Sequence, residues 1–113
     1  MSDIARFPLY DLHSHTQASD GLLTPTALVQ RAVEMRVGVL AITDHDTVAG
    51  VAEAHQAVLQ QNLPIHILAG LEASTLWENH EIHIVGLNVD CQHPALREFL
   101  QQQHQCRADR ALL

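Results

Sequence analysis

Val39-Leu40-Ala41-Ile42-Thr43-Asp44-His45-Asp46 is the stretch on which the fold turns. Val39 to Thr43 is a short, continuous apolar run, as expected of a strand buried on both faces in a parallel sheet. It ends abruptly in three polar residues. On its N-terminal side, Thr24-Pro25 has the form of a helix start, with threonine as cap and proline where no amide hydrogen is missed. The spacing of Leu28, Val29, Ala32, Val33 and Met35 predicts a helix over residues 25–36, with Gly38 as its terminator. On its C-terminal side, Val48, Val51, Ala52, Val58 and Leu59 predict a helix over 48–61, stopped by Asn62 and Pro64.

The remaining segments extend this alternation. Residues 7–12 read as a short strand and residues 13–24 as a loop marked by Ser19-Asp20-Gly21. Ile65 to Leu68 reads as a third buried strand. Leu71 to Trp77 and Ile82 to Val89 read as two more strands, joined by a turn over Glu78-Asn79-His80-Glu81. His93-Pro94 starts a last helix with Leu96, Phe99 and Leu100 as its apolar stripe, and Gln101-Gln102-Gln103 as solvated surface. Strands alternating with helices imply an α/β fold, with parallel strands, crossover helices and one hairpin. Function in such folds gathers at the C-terminal ends of the strands.

Composition narrows the function classes. The chain has 113 residues and a formal net charge of −7, with six arginines and no lysine. That is one domain's worth of chain, without the basic patch that a simple nucleic-acid binder uses. A phosphate-bearing ligand would need its charge matched by bound cations. No apolar run approaches a membrane span, no secretion signal is visible, and Cys91 and Cys106 are too far apart for a paired-cysteine site. A cytoplasmic protein with ordinary thiols is expected. The outlier is histidine, with nine in 113 residues.

Position sorts these histidines. If residues 7–12 continue as a strand, Asp11, His13 and His15 point the same way, so three potential ligands converge. His13 and His15 are the stronger ligand candidates. Asp11 suits the supporting role of a carboxylate that orients ligating rings, and Asp44 is assigned the same role. Asp20 is either a ligand or an ordinary turn aspartate. His45 sits at the functional end of the sheet. Glu72 stands in an apolar run, where a carboxylate is costly unless paired or bound to a metal. With a four-residue turn, Glu72 and His83 share one face of the hairpin. His55 reads as a boundary residue, His66 as core or lining, and His80, His93 and His104 as solvent-facing. Nitrogen and oxygen donors without thiolate suit Zn, Mn, Fe or Co, and so many of them suggest more than one ion.

Asp11-Leu12-His13-Ser14-His15, Ser19-Asp20-Gly21, Ile42-Thr43-Asp44-His45-Asp46, Gly70-Leu71-Glu72 and His83-Ile84-Val85-Gly86-Leu87 together resemble the polymerase and histidinol phosphatase (PHP) family. Within it, the sequence is most similar to an enterobacterial branch of 5′→3′ exoribonucleases and 3′,5′-nucleoside bisphosphate phosphatases. The resemblance implies a distorted (β/α)7 barrel holding up to three divalent ions, manganese first, with zinc or iron as alternatives. It implies that His13, His15 and Glu72 hold one ion, that Glu72 bridges to a second bound by His83, and that Asp20 and His45 hold a third. Metal-activated water would attack phosphorus, so no side-chain nucleophile is expected. The substrate would be a nucleotide or an RNA 5′ end. Histidinol phosphate, or a non-catalytic metal-binding module, are the alternatives. The family's later motifs find no match after His83, so residues 1–113 read as the N-terminal portion of a longer domain. Such a portion is expected to be weakly active at most, with exposed edges that invite dimerisation.

Overall fold

Thr24 and Pro25 begin the first helix as the sequence predicts. The Thr24 hydroxyl accepts the Ala27 amide at 3.1 Å, and α1 runs Pro25–Glu34. The structure, a computed structural model, describes residues 9–111. In it β1 is Leu9–Asp11, β2 Val37–Ile42, α2 Ala49–Gln61, β3 His66–Trp77, β4 His80–Leu87 and α3 Pro94–Ala111. Phe7 and Pro8, assigned to the first strand from sequence, lie outside the described residues, as do Leu112 and Leu113. The sheet order is β1-β2-β3-β4; β1, β2 and β3 run parallel and β4 is antiparallel to β3. This is the α/β alternation expected, with α1 and α2 as crossovers that pack on each other and on β2 and β3.

The core lies between those helices and the sheet. Val29, Leu40, Ile42, Val51, Ala54 and Ile67 are all buried. Leu40 and Ile42 are 1% exposed, and burying a side chain of that size contributes roughly 1.5–3 kcal/mol. The sequence pattern overreached at three helix positions. Met35, Leu59 and the small Ala52 on α2 are exposed, because the buried stripes run through Val29 and Ala32 on α1 and through Val51, Ala54 and Ala57 on α2.

Four local predictions need correction. Gly38 does not end α1; it lies within β2, and the reversal is made by Arg36 at φ 64°. A single non-glycine residue in the left-handed region is uncommon and carries a cost, which the flanking helix and strand impose here. Second, β3 does not stop at Leu68 but runs unbroken through Ala69 and Gly70 to Trp77. It pairs with β2 along its first part and with β4 along its second. Third, the hairpin turn has two residues, not four. Glu78 and Asn79 both have positive φ, as the tight turns that match strand twist require. Fourth, His66, read as core or lining, is exposed.

Candidate metal centre

β1 stops two residues short of His13, so strand alternation is not what gathers the first motif. His13 and His15 lie in the loop beyond the strand, and the exposed Asp11 accepts the His13 backbone amide at 3.2 Å. Asp11 therefore shapes the backbone and does not touch either ring. The loop is fixed from below by Asp44, which is fully buried at the end of β2. Its carboxylate accepts the Thr16 amide at 2.6 Å, the Thr16 hydroxyl at 2.7 Å and the Ser19 hydroxyl at 2.8 Å. Asp44 supports the site through the His15–Asp20 loop, not through an imidazole. Gly21 closes that loop so tightly that a Cβ there would stand 2.4 Å from the His15 carbonyl oxygen.

His45 is delivered by β2 and Glu72 by β3, which meet in an isolated parallel bridge at that residue pair. The two-residue hairpin turn still leaves Glu72 and His83 on one face. His83 pairs with Ser74, and the register differs from the expected one by two residues, which preserves the face. Glu72, 5% exposed, thus becomes the hub. Its Oε1 lies 2.5 Å from His13 Nε2 and 3.5 Å from His15 Nε2; its Oε2 lies 2.6 Å from His83 Nδ1 and 3.4 Å from His45 Nδ1. Asp20 closes the far side, with Oδ2 3.1 Å from His45 Nε2 and Oδ1 3.6 Å from His15 Nδ1. The His15 and His45 rings stack with centroids 4.6 Å apart.

All six ligand candidates from the sequence therefore come together. They fall into three overlapping sets, His13–His15–Glu72, His15–Asp20–His45 and His45–Glu72–His83. The first agrees with the expected grouping. The others add His15 to the Asp20 set and His45 to the His83 set. Burial opposes ionisation of Glu72, but the His83 and His13 rings outweigh it and hold its pKa below the ordinary carboxylate value. The His83 pKa is raised, first by Glu81 and then by Glu72.

The donor set fits divalent cations. His15 Nδ1 is buried without a hydrogen-bond partner, a costly state for a ring nitrogen unless something else fills its lone pair. His13 Nε2 and His15 Nε2 face each other at 3.2 Å, close to the spacing of two donors on one ion with bonds of about 2.0–2.2 Å.

The sequence reading missed a second group. Glu81, placed in the turn, lies 3.2 Å from His83 Nε2 and orients that ring. Gln103 and His104, read as solvated surface, and Arg107 reach Asp46 from α3. Glu81, His104 and Arg107 line an open cleft of about 550 Å³ together with Asp20, His45 and His83. Alternation of Glu81 with His83 along β4 was a usable signal. The α3 contacts left none, since they depend on how the last helix docks.

The family model of the PHP domain matches residues 11–108. The chain is 60% identical over its whole length to the 5′-3′ exoribonuclease Rnm of Escherichia coli, of which it covers 39%. It is 44% identical over 89% of its length to a 3′,5′-nucleoside bisphosphate phosphatase of Chromobacterium violaceum, of which it covers 35%. The chain thus spans well under half the length of these relatives. Among solved structures, an amidohydrolase from Chromobacterium violaceum superposes on 90% of the chain with a TM-score of 0.82 at 43% identity. The chain covers 35% of that structure.

Proposed function

Since the chain belongs to the PHP domain family, we propose that it contributes the principal metal-binding residues of a phosphoesterase. Its substrates would be phosphate esters of nucleotides or RNA 5′ ends, as the names of the two relatives suggest. The observation that carries this reading is the convergence of four imidazoles on buried Glu72, with Asp20 beside two of them and His15 Nδ1 buried without a hydrogen-bond partner.

In this reading His13, His15, Asp20, His45, Glu72 and His83 hold divalent ions, manganese foremost. Such ions would activate water and offset charge on the phosphoryl oxygens. The protein's own contribution is placement. Glu72 presents one oxygen to His13 and His15 and the other to His45 and His83, so a single carboxylate sets the spacing of both halves. Asp44 holds the loop carrying His15 and Asp20. Glu81 fixes the ring orientation of His83. The cleft beside these groups gives a phosphate ester a route to them. In a chain of net charge −7, bound cations would also supply the attraction for an anionic substrate.

The test is Mn²⁺-dependent release of phosphate from a nucleoside 3′,5′-bisphosphate, and of mononucleotides from a 5′-phosphorylated oligoribonucleotide, by the full-length protein. Substitution of His13 or Glu72 by alanine is expected to abolish both. Activity retained in either variant would overturn the assignment.

A further inference from the structure

α3 ends its run of polar residues on one atom group, the peptide and carboxylate of Asp46. We propose that Arg107, aided by Gln103 and His104, is a positioning residue for the His45 imidazole and acts through Asp46. The proposal rests on the metal-centre reading above and extends it to a helix that supplies no ligand.

β2 gives way after Ile42 to a segment in which His45 alone bridges to Glu72. The Glu72 amide donates to the Asp44 carbonyl at 2.9 Å, and the Asp46 amide donates to the Glu72 carbonyl at 3.1 Å. These two bonds set the His45 backbone against β3 but leave the chain free to turn beyond it. The turn is made by Asp46 at φ 53°, a left-handed conformation that aspartate adopts more readily than most residues but still at a cost. Asp46 is 1% exposed. Its Oδ1 accepts the Ser74 amide and the Gln103 side-chain amide, both at 2.9 Å. Its Oδ2 accepts Arg107 Nη2 at 2.6 Å and Nε at 3.1 Å. Its carbonyl accepts His104 Nε2 at 2.9 Å.

Two consequences follow. The residue that fixes where the His45 ring emerges, between Asp20 and Glu72, is itself held from β3 and α3 at once. The Asp46 carboxylate is also consumed by permanent donors, so it is not free to swing towards the imidazoles and compete for a cation. The helix shows little other reason to dock where it does: among its described side chains only Leu100 is buried. Gln103, His104 and Arg107 lie on one side of it, at spacings of one and four residues.

The experiment is calorimetric titration of Mn²⁺ into the metal-free full-length protein, alongside visible absorption of the Co²⁺-loaded form, which reports ligand number and geometry. The variants are Arg107→Ala, Arg107→Lys, Gln103→Ala, His45→Ala and Leu100→Ala. Arg107→Ala is expected to weaken the tightest affected Mn²⁺ site about tenfold or more and to shift the Co²⁺ bands. Arg107→Lys should restore part of both. Leu100→Ala keeps all three α3 contacts to Asp46 and should lower the melting temperature while shifting the Co²⁺ bands much less than Arg107→Ala; an equal shift would overturn the proposal. If Arg107→Ala does not fold, Gln103→Ala carries the test with a severalfold loss expected. Wild-type Mn²⁺ affinity and Co²⁺ spectrum in a folded Arg107→Ala or Gln103→Ala protein would overturn the proposal while leaving the metal reading intact. Wild-type metal binding in His45→Ala would overturn both.

Discussion

Glu72 and Asp46 are both buried and both adjoin His45, one through space and one along the chain, and their surroundings differ in kind. Glu72 is surrounded by imidazoles, whose ring nitrogens can exchange a proton for a cation. Asp46 is surrounded by a backbone amide, a carboxamide and a guanidinium, which are donors in every accessible state. Both carboxyls have lowered pKa values against the opposing effect of burial. The local chemistry of the partners, not burial or charge, separates a carboxylate available to a metal from one committed to the fold.

The comparison breaks most visibly at Glu72. Glu72→Ala should reduce metal-dependent phosphoester hydrolysis roughly a thousandfold or more, a loss of about 4 kcal/mol of transition-state stabilisation. It should also remove the rise in melting temperature expected when Mn²⁺ is added to the wild-type protein. In the metal-free protein the same change should cost less than the loss of Asp46, since the His13 and His83 rings it leaves behind are partly exposed and are rehydrated. A large fall in metal-free stability would place Glu72 with Asp46 and erase the distinction.

Asp46→Ala inverts the expectation. The metal-free protein should lose about 2–3 kcal/mol, because Ser74 and Gln103 lose a charged acceptor while the half-exposed Arg107 is rehydrated. Chemical denaturation measured with and without EDTA checks both variants. The loss in Asp46→Ala should be present in both conditions, whereas most of the loss in Glu72→Ala should appear only when metal is supplied.

How much of this was legible in the sequence depends on the distance over which each contact acts. The polar ends of apolar runs exposed His45 directly, and Glu72 was visible because a carboxylate inside Ile67 to Leu76 has few inexpensive explanations. The shared face of Glu72 and His83 survived a wrong turn length only because the error was even. Asp11 shows the opposite case. Alternation placed it with His13 and His15, but β1 ends at Asp11 and the loop geometry that follows has no period to read. The grip of α3 on Asp46 lay beyond reach for another reason. The apolar stripe of Leu96, Phe99 and Leu100 stops before the turn that grips Asp46, so Gln103 and His104 look like solvated residues.

Gly21 offers an intermediate effect on the metal side of the comparison. A Cβ at this position would meet backbone atoms of His15 and Thr16 at 2.4–2.7 Å, so the loop carrying Asp20 must shift. Gly21→Ala should destabilise by about 1–3 kcal/mol and weaken Mn²⁺ binding in titration. Unchanged affinity would show that Asp20 is not needed for the ion that His15 and His45 face.

The smallest effect reads the Asp46 side. Cys106 sits on α3 between Gln103 and Arg107 and lines the small cavity beneath Asp46, while Cys91 is half-buried with its thiol pKa pushed up by burial and by Asp90. At neutral pH a maleimide reagent should therefore label Cys106 before Cys91, because reactivity follows thiolate fraction and access. Docking of α3 limits approach to one side of Cys106. Arg107→Ala should raise the Cys106 rate severalfold and change the Cys91 rate much less, since Cys91 precedes the helix and also packs against the core. Mass spectrometry of the labelled protein separates the two sites. An equal rise at both cysteines would mean that the substitution loosens the whole C-terminal region, and that Asp46 and Arg107 stabilise the fold without acting as a local latch.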